Sequence, residues 1–158
     1  MNLELKEKVK NFFFERFRVS KDFWRDFNLI FRGKIIWVNK FEKEIPLNKI
    51  ISLGIPLLRV IRKDELKPTS WGLIFLNKQI KENKVDLKLE ELIEILERQK
   101  IKFEKKELKE GYVAISFEDK VLGCGFFKNK LLVSQIPKAK RTELLNILKK
   151  CYNKNLWK

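Results

Sequence analysis

Apolar and polar positions alternate along the chain with two periods, and the switches between them mark the elements. Leu5, Val9, Phe12, Phe13 and Phe17 recur at helical spacing and predict a helix over 3–17. Ser20 reads as the N-cap of a second helix, with Asp22 in its first turn and Phe23, Trp24, Phe27 and Ile30 on one face. Gly33 is expected to end that helix, and KIIWV then reads as a strand. PLNKIISL (46–53) predicts a short helix stopped by Gly54, and LLRVI (57–61) a strand. RKDELKPTS (62–70) reads as a basic loop with two candidate N-caps, Thr69 and Ser70. WGLIFLNKQI is so apolar that periodicity leaves helix and buried strand both open.

The second half is more regular. Leu89, Leu92, Ile93 and Leu96 predict a helix over 89–99, and KIKF a short strand. A charged loop follows. YVAISFE alternates, with Val113, Ile115 and Phe117 on one side. Turns at Asp119-Lys120 and Asn129-Lys130 make a three-strand meander with VLGCGFF and LLVSQ. Gly123 and Gly125 share a face, where glycine serves a bend or a close approach. A last helix over about 140–152 is expected to bury Leu144, Leu145, Leu148, Cys151 and Tyr152. The pattern predicts an α+β chain with a boundary near 82.

Charge changes this picture from a fold to a function. The net charge is +15, from 36 Lys+Arg against 21 Asp+Glu, which favours a polyanionic partner, nucleic acid before membrane. Abundant Lys, Glu and Ile suit a heat-adapted surface rich in ion pairs, which explains high charge but not unbalanced charge. The imbalance is local. Residues 88–119 hold 7 bases and 9 acids, whereas residues 120–158 hold 10 bases and one acid, Glu143. Within that stretch Lys138, Lys140 and Arg141 follow Pro137 at the expected start of a helix. Acids are the stabilising choice at such a position, so cations there point to a bound anion. Lys128 and Lys130 at the preceding turn extend the patch. Arg59, Arg62, Lys63 and Lys67 form a second basic group, with Trp71 beside it as a candidate base-stacking ring. Both groups are expected to line one RNA-binding groove. Trp157 is expected only to cover the last helix.

Enzyme chemistry finds little support. There is no histidine, no glycine-rich cofactor turn, no P-loop and no metal-ligand cluster, so no cofactor and no metal are expected. Cys124 and Cys151 sit in apolar patterns and read as buried thiols rather than nucleophiles or a disulfide. Neither a membrane-spanning run nor a signal peptide is visible, and a cytoplasmic location is expected.

GYVAISFEDKVLGCGFFKNKLLVSQIPKAKR (111–141) resembles the PUA domain, a compact RNA-binding β-barrel. ERFRVSKDFWRDFNLIFRGKIIWV, GIPLLRVIRKDELKPTSWGLIFL and NKVDLKLEELIEIL resemble the C-terminal RNA-binding region of the Fmu/Sun-type RNA cytosine-5 methyltransferases, and more closely its free-standing archaeal relatives assigned to ribosome biogenesis. The KPT segment at 67–69 and SQIPK at 134–138 are the strongest elements. The resemblance implies an N-terminal α/β (pre-PUA-like) lobe over 1–82 and a PUA-like barrel with a C-terminal helix over 83–158. It makes 71–80 helical. It also implies a non-catalytic module binding rRNA or tRNA, in RNA modification or ribosome biogenesis, beside a methyltransferase or ribosome-assembly factor. The competing expectation is a protein-interaction subunit without RNA affinity of its own. Asn77 stands where the pattern has glycine, a position asparagine can fill in the left-handed conformation. Lysine- and glutamate-rich residues 100–110 replace the usual glycine-rich loop.

Overall fold

The computed structural model describes residues 3–40, 54–63 and 65–152. The helix expected at 46–53 and Trp157 lie outside the described residues. The chain divides into two compact units, Met1–Glu82 and Asn83–Lys158. Both mix helices with a sheet, so the α+β class holds.

In the first unit, α1 (Leu3–Phe17) buries Val9, Phe13 and Phe17, each four residues from the last. Phe13 packs on Trp24 with ring centroids 5.4 Å apart, and Phe27 on Phe75 at 5.3 Å. Ser20 caps a helix as expected, its hydroxyl accepting from the Asp22 amide. That helix is a 3-10 turn over Lys21–Asp26, not a helix to Gly33. Residues 28–32 instead form β1 (Asn28–Arg32), paired antiparallel with β2 (Ile35–Asn39). Phe23, Trp24, Phe27 and Ile30 fit helical spacing, but pairing with the following strand decides the outcome, and Leu29 turns into the core. Gly33 therefore makes a hairpin turn, at φ +65°.

β3 (Ile55–Arg62) and β4 (Glu65–Pro68) complete a four-strand sheet in the order β1-β2-β3-β4. The segment 62–70 is thus not all loop: Leu66 and Pro68 pair with Val60 and Leu58. Thr69 caps α2 (Ser70–Phe75), its hydroxyl accepting from the Gly72 amide at 2.8 Å, and Ser70 is the first helical residue. A Cβ on Gly72 would lie 2.5 Å from the Leu57 carbonyl oxygen, so glycine lets α2 lie close on β3. Asn77 opens a short 3-10 turn, Asn77–Gln79, and is not left-handed.

The second unit holds a five-strand sheet, β5 (Lys84–Asp86), β6 (Lys100–Lys102), β7 (Gly111–Phe117), β8 (Lys120–Lys128) and β9 (Leu131–Ser134), in the order β5-β7-β8-β9-β6. β7, β8 and β9 form the expected meander. β5 and β6 are its edges, and no pairing among the described residues closes the sheet. The first tight turn is Glu118-Asp119, both left-handed, one residue before its expected place. The second is Asn129-Lys130, as expected.

Helix α3 (Leu89–Arg98) buries Leu92, Ile93, Ile95 and Leu96 against Val113, Ile115, Phe127 and Leu132. Gly125 lies on that core face: a Cβ there would meet Ile115 Cδ1 at 2.8 Å. Helix α4 (Lys138–Cys151) adds Leu148 to the core, with Leu144, Leu145 and Tyr152 partly buried beside it. Cys124 is buried, but Cys151 is exposed. The buried stripe runs through Leu144, Leu148 and Tyr152 at four-residue steps, which leaves Cys151 at its margin on the helix's last position.

Candidate nucleic-acid interface

α4 begins at Lys138, two residues earlier than expected, so Lys138 and Lys140 stand in its first turn and Arg141 follows directly. Pro137 is the N-cap residue and supplies no side-chain hydrogen bond, and the first turn holds no acid. The first intrahelical bond runs from the Arg141 amide to the Pro137 carbonyl, at 2.9 Å. Amides before that point have no intrahelical acceptor, and the helix dipole adds positive partial charge. Three cations stand on this end, Lys138 exposed and Lys140 and Arg141 partly so. The preceding turn is held by its own hydrogen bonds. Ser134 Oγ accepts from the Ile136 amide at 3.1 Å, and the Gln135 amide donates to the Cys124 carbonyl at 2.8 Å. SQIPK is therefore a device that aims α4, with its cations carried at the tip.

Lys128 and Lys130 do not join that cluster directly. Lys128 ends β8 and Lys130 lies in the β8–β9 turn, and the four residues of β9, roughly 13 Å of strand, separate that turn from the segment leading into α4. Lys130 Nζ lies 3.4 Å from Glu104 Oε1, both side chains well exposed. Such a pair is worth about 0–1 kcal/mol and leaves the lysine able to exchange partners.

The second basic group lies in the other unit. Arg59 and Lys67 are register partners on β3 and β4, which places two cations side by side on one sheet face. Arg62 pairs with Glu65 at 3.7 Å across the same hairpin, again exposed. Lys63 is exposed just beyond β3. Trp71 is 46% exposed on the first turn of α2. KPT divides by role: Thr69 caps, Pro68 is buried, and Lys67 stands opposite Arg59.

Two further cations join the surface that the charge pattern did not single out. Lys100 and Lys102 occupy β6, with buried Ile101 between them, so both face away from the core. The alternation K-I-K was the available signal. What it could not show is the register, which aligns Lys102 with Leu131 on β9 and Leu131 with Lys128 on β8.

Comparison with models of known protein families, with curated proteins and with solved structures finds no match. No helix among the described residues is long and apolar enough to cross a membrane.

Proposed function

We propose that the protein is a non-catalytic RNA-binding module of PUA-like type, acting on rRNA or tRNA in RNA modification or ribosome assembly. The observation that carries this reading is the start of α4: an uncapped helix end without an acid in its first turn, bearing Lys138, Lys140 and Arg141. Repulsion between those cations and the helix end costs stability in the absence of an anion, and a phosphate diester relieves it. The meander β7–β9, flanked by two short strands and packed on one face by α3 and α4, supports the likeness to a PUA barrel. Arg59, Arg62, Lys63, Lys67 and Trp71 supply a second contact region, and a methyltransferase or assembly factor is the expected companion.

The test is direct titration of the full chain with folded tRNA and with an rRNA fragment. Replacing Lys138, Lys140 and Arg141 together by alanine is expected to weaken binding at least tenfold. Unchanged affinity would overturn the assignment of the site. Incorporation of label from S-adenosylmethionine into RNA by the protein alone would overturn the non-catalytic reading.

A further inference from the structure

The five-strand sheet has a second face, turned away from the core. Alternate residues settle which side chains stand on it. Val113, Ile115, Phe127, Leu132 and Ile101 belong to the core, so Tyr112, Phe126, Lys128, Leu131, Val133, Lys100 and Lys102 stand opposite. The register arranges these in two rows across the strands. One row is Lys102–Leu131–Lys128. The next is Lys100–Val133–Phe126–Tyr112, in which the Phe126 and Tyr112 rings meet edge to face at 5.1 Å. The face is covered farther along, at Ala114 and Cys124, and open toward β6 and the β8–β9 turn. There Leu131 is 36% exposed, and Lys100, Lys102, Lys128 and Lys130 are all exposed. A surface groove of about 580 Å³ at this end is lined by Lys102, Phe103, Glu104, Asn129, Lys130 and Leu131.

We propose that this face is a platform for a single-stranded RNA segment, a specificity that rests on the RNA-binding reading above. Three features converge. Cations on β6 and β8, two strand spacings or about 10 Å apart with Leu131 of β9 between them, track a chain of phosphates crossing the sheet. Apolar and aromatic side chains lie between and beside them, where unstacked bases gain contact. A duplex hides its base faces and offers such a surface only phosphates. Edge lysines also blunt unwanted strand pairing, which accounts for Lys100 and Lys102 on edge strand β6. It does not account for Lys128, two strands inward, nor for exposed Leu131 between the cations. An acidic peptide would match the lysines but would leave the aromatic row unused.

The experiment is fluorescence anisotropy of the full chain with a labelled mixed-sequence RNA 12-mer, free and annealed to its complement. The single strand is expected to bind more tightly than the duplex. The triple variant Lys100→Ala, Lys102→Ala, Lys128→Ala, all exposed positions, is expected to lose at least tenfold in single-strand affinity. Its log K versus log salt slope should become shallower by about 2, since each phosphate contact on a single strand contributes about 0.7. Phe126→Leu keeps an apolar side chain and is expected to weaken binding at least about fivefold with the salt slope unchanged, the mark of lost stacking. A wild type that binds RNA beside an unaffected triple variant would overturn this platform and leave the α4 site standing. Tighter binding of the duplex, or displacement of the single strand by polyglutamate of equal charge, would also overturn it. A wild type with no RNA affinity would sink both proposals.

Discussion

Single residues carry more of this structure than their bulk suggests. Gly72 and Gly125 both sit where a Cβ would collide, but with different partners. At Gly72 the obstacle is the Leu57 backbone oxygen at 2.5 Å, which moves only if β3 moves. At Gly125 it is the tip of Ile115, whose χ rotation relieves the clash. Gly72→Ala is therefore expected to cost about 2–3 kcal/mol and Gly125→Ala nearer 1 kcal/mol in chemical denaturation, the range for overpacked sites. An equal cost at both would contradict this account. Lys130 has φ +60° in a two-residue hairpin turn, a position that favours glycine. Lys130→Gly is expected to raise stability by roughly 0.5–1 kcal/mol while lowering RNA affinity. Such positions were legible only in part. Asn129-Lys130 announces a turn, but nothing local reveals that Gly72 of α2 lies against Leu57, fifteen residues back on strand β3.

At the scale of elements, α4 trades stability for charge. Lys138→Glu would place an acid where the helix dipole favours one, and is expected to raise stability by about 0.3–1 kcal/mol. The same change should weaken RNA binding several-fold. A variant that loses in both would mean that Lys138 serves a structural contact. The far end of α4 has a titratable marker. The Tyr152 hydroxyl lies 3.4 Å from Glu118 Oε1, and its pKa is raised above the ordinary 10.0, first by desolvation and then by the Glu118 carboxylate. Its contribution to stability is thus complete below pH 10 and lost as pH rises through the raised value. Absorbance titration of the phenolate checks this, with Glu118→Gln expected to lower the midpoint. Periodicity revealed α1, α3 and the meander because each has one buried face. It failed over 20–33, where aromatic spacing imitates a helix and the strand is decided by its partner. It failed again at β4, whose Glu-Leu-Lys-Pro reads as loop until β3 lies beside it.

For the whole molecule the question is where charge gathers. Ten bases against one acid over residues 120–158 set the carboxyl-terminal quarter apart by composition alone. Five of those bases fall at two places, Lys138, Lys140 and Arg141 at the α4 start and Lys128 and Lys130 at the β8–β9 turn, at opposite ends of β9. The fold also brings Lys102, from a stretch where acids outnumber bases, into the same row as Lys128, and Lys100 into the adjacent one. That grouping is a property of register and not of composition. Salt titrates the electrostatics of these groups directly. The most direct test is the slope of log K against log salt for the full chain on a structured RNA. Four phosphate contacts predict a slope of about −3, made shallower when Lys138, Lys140 and Arg141 become alanine. A slope near zero, or one that the substitutions leave unchanged, would contradict it.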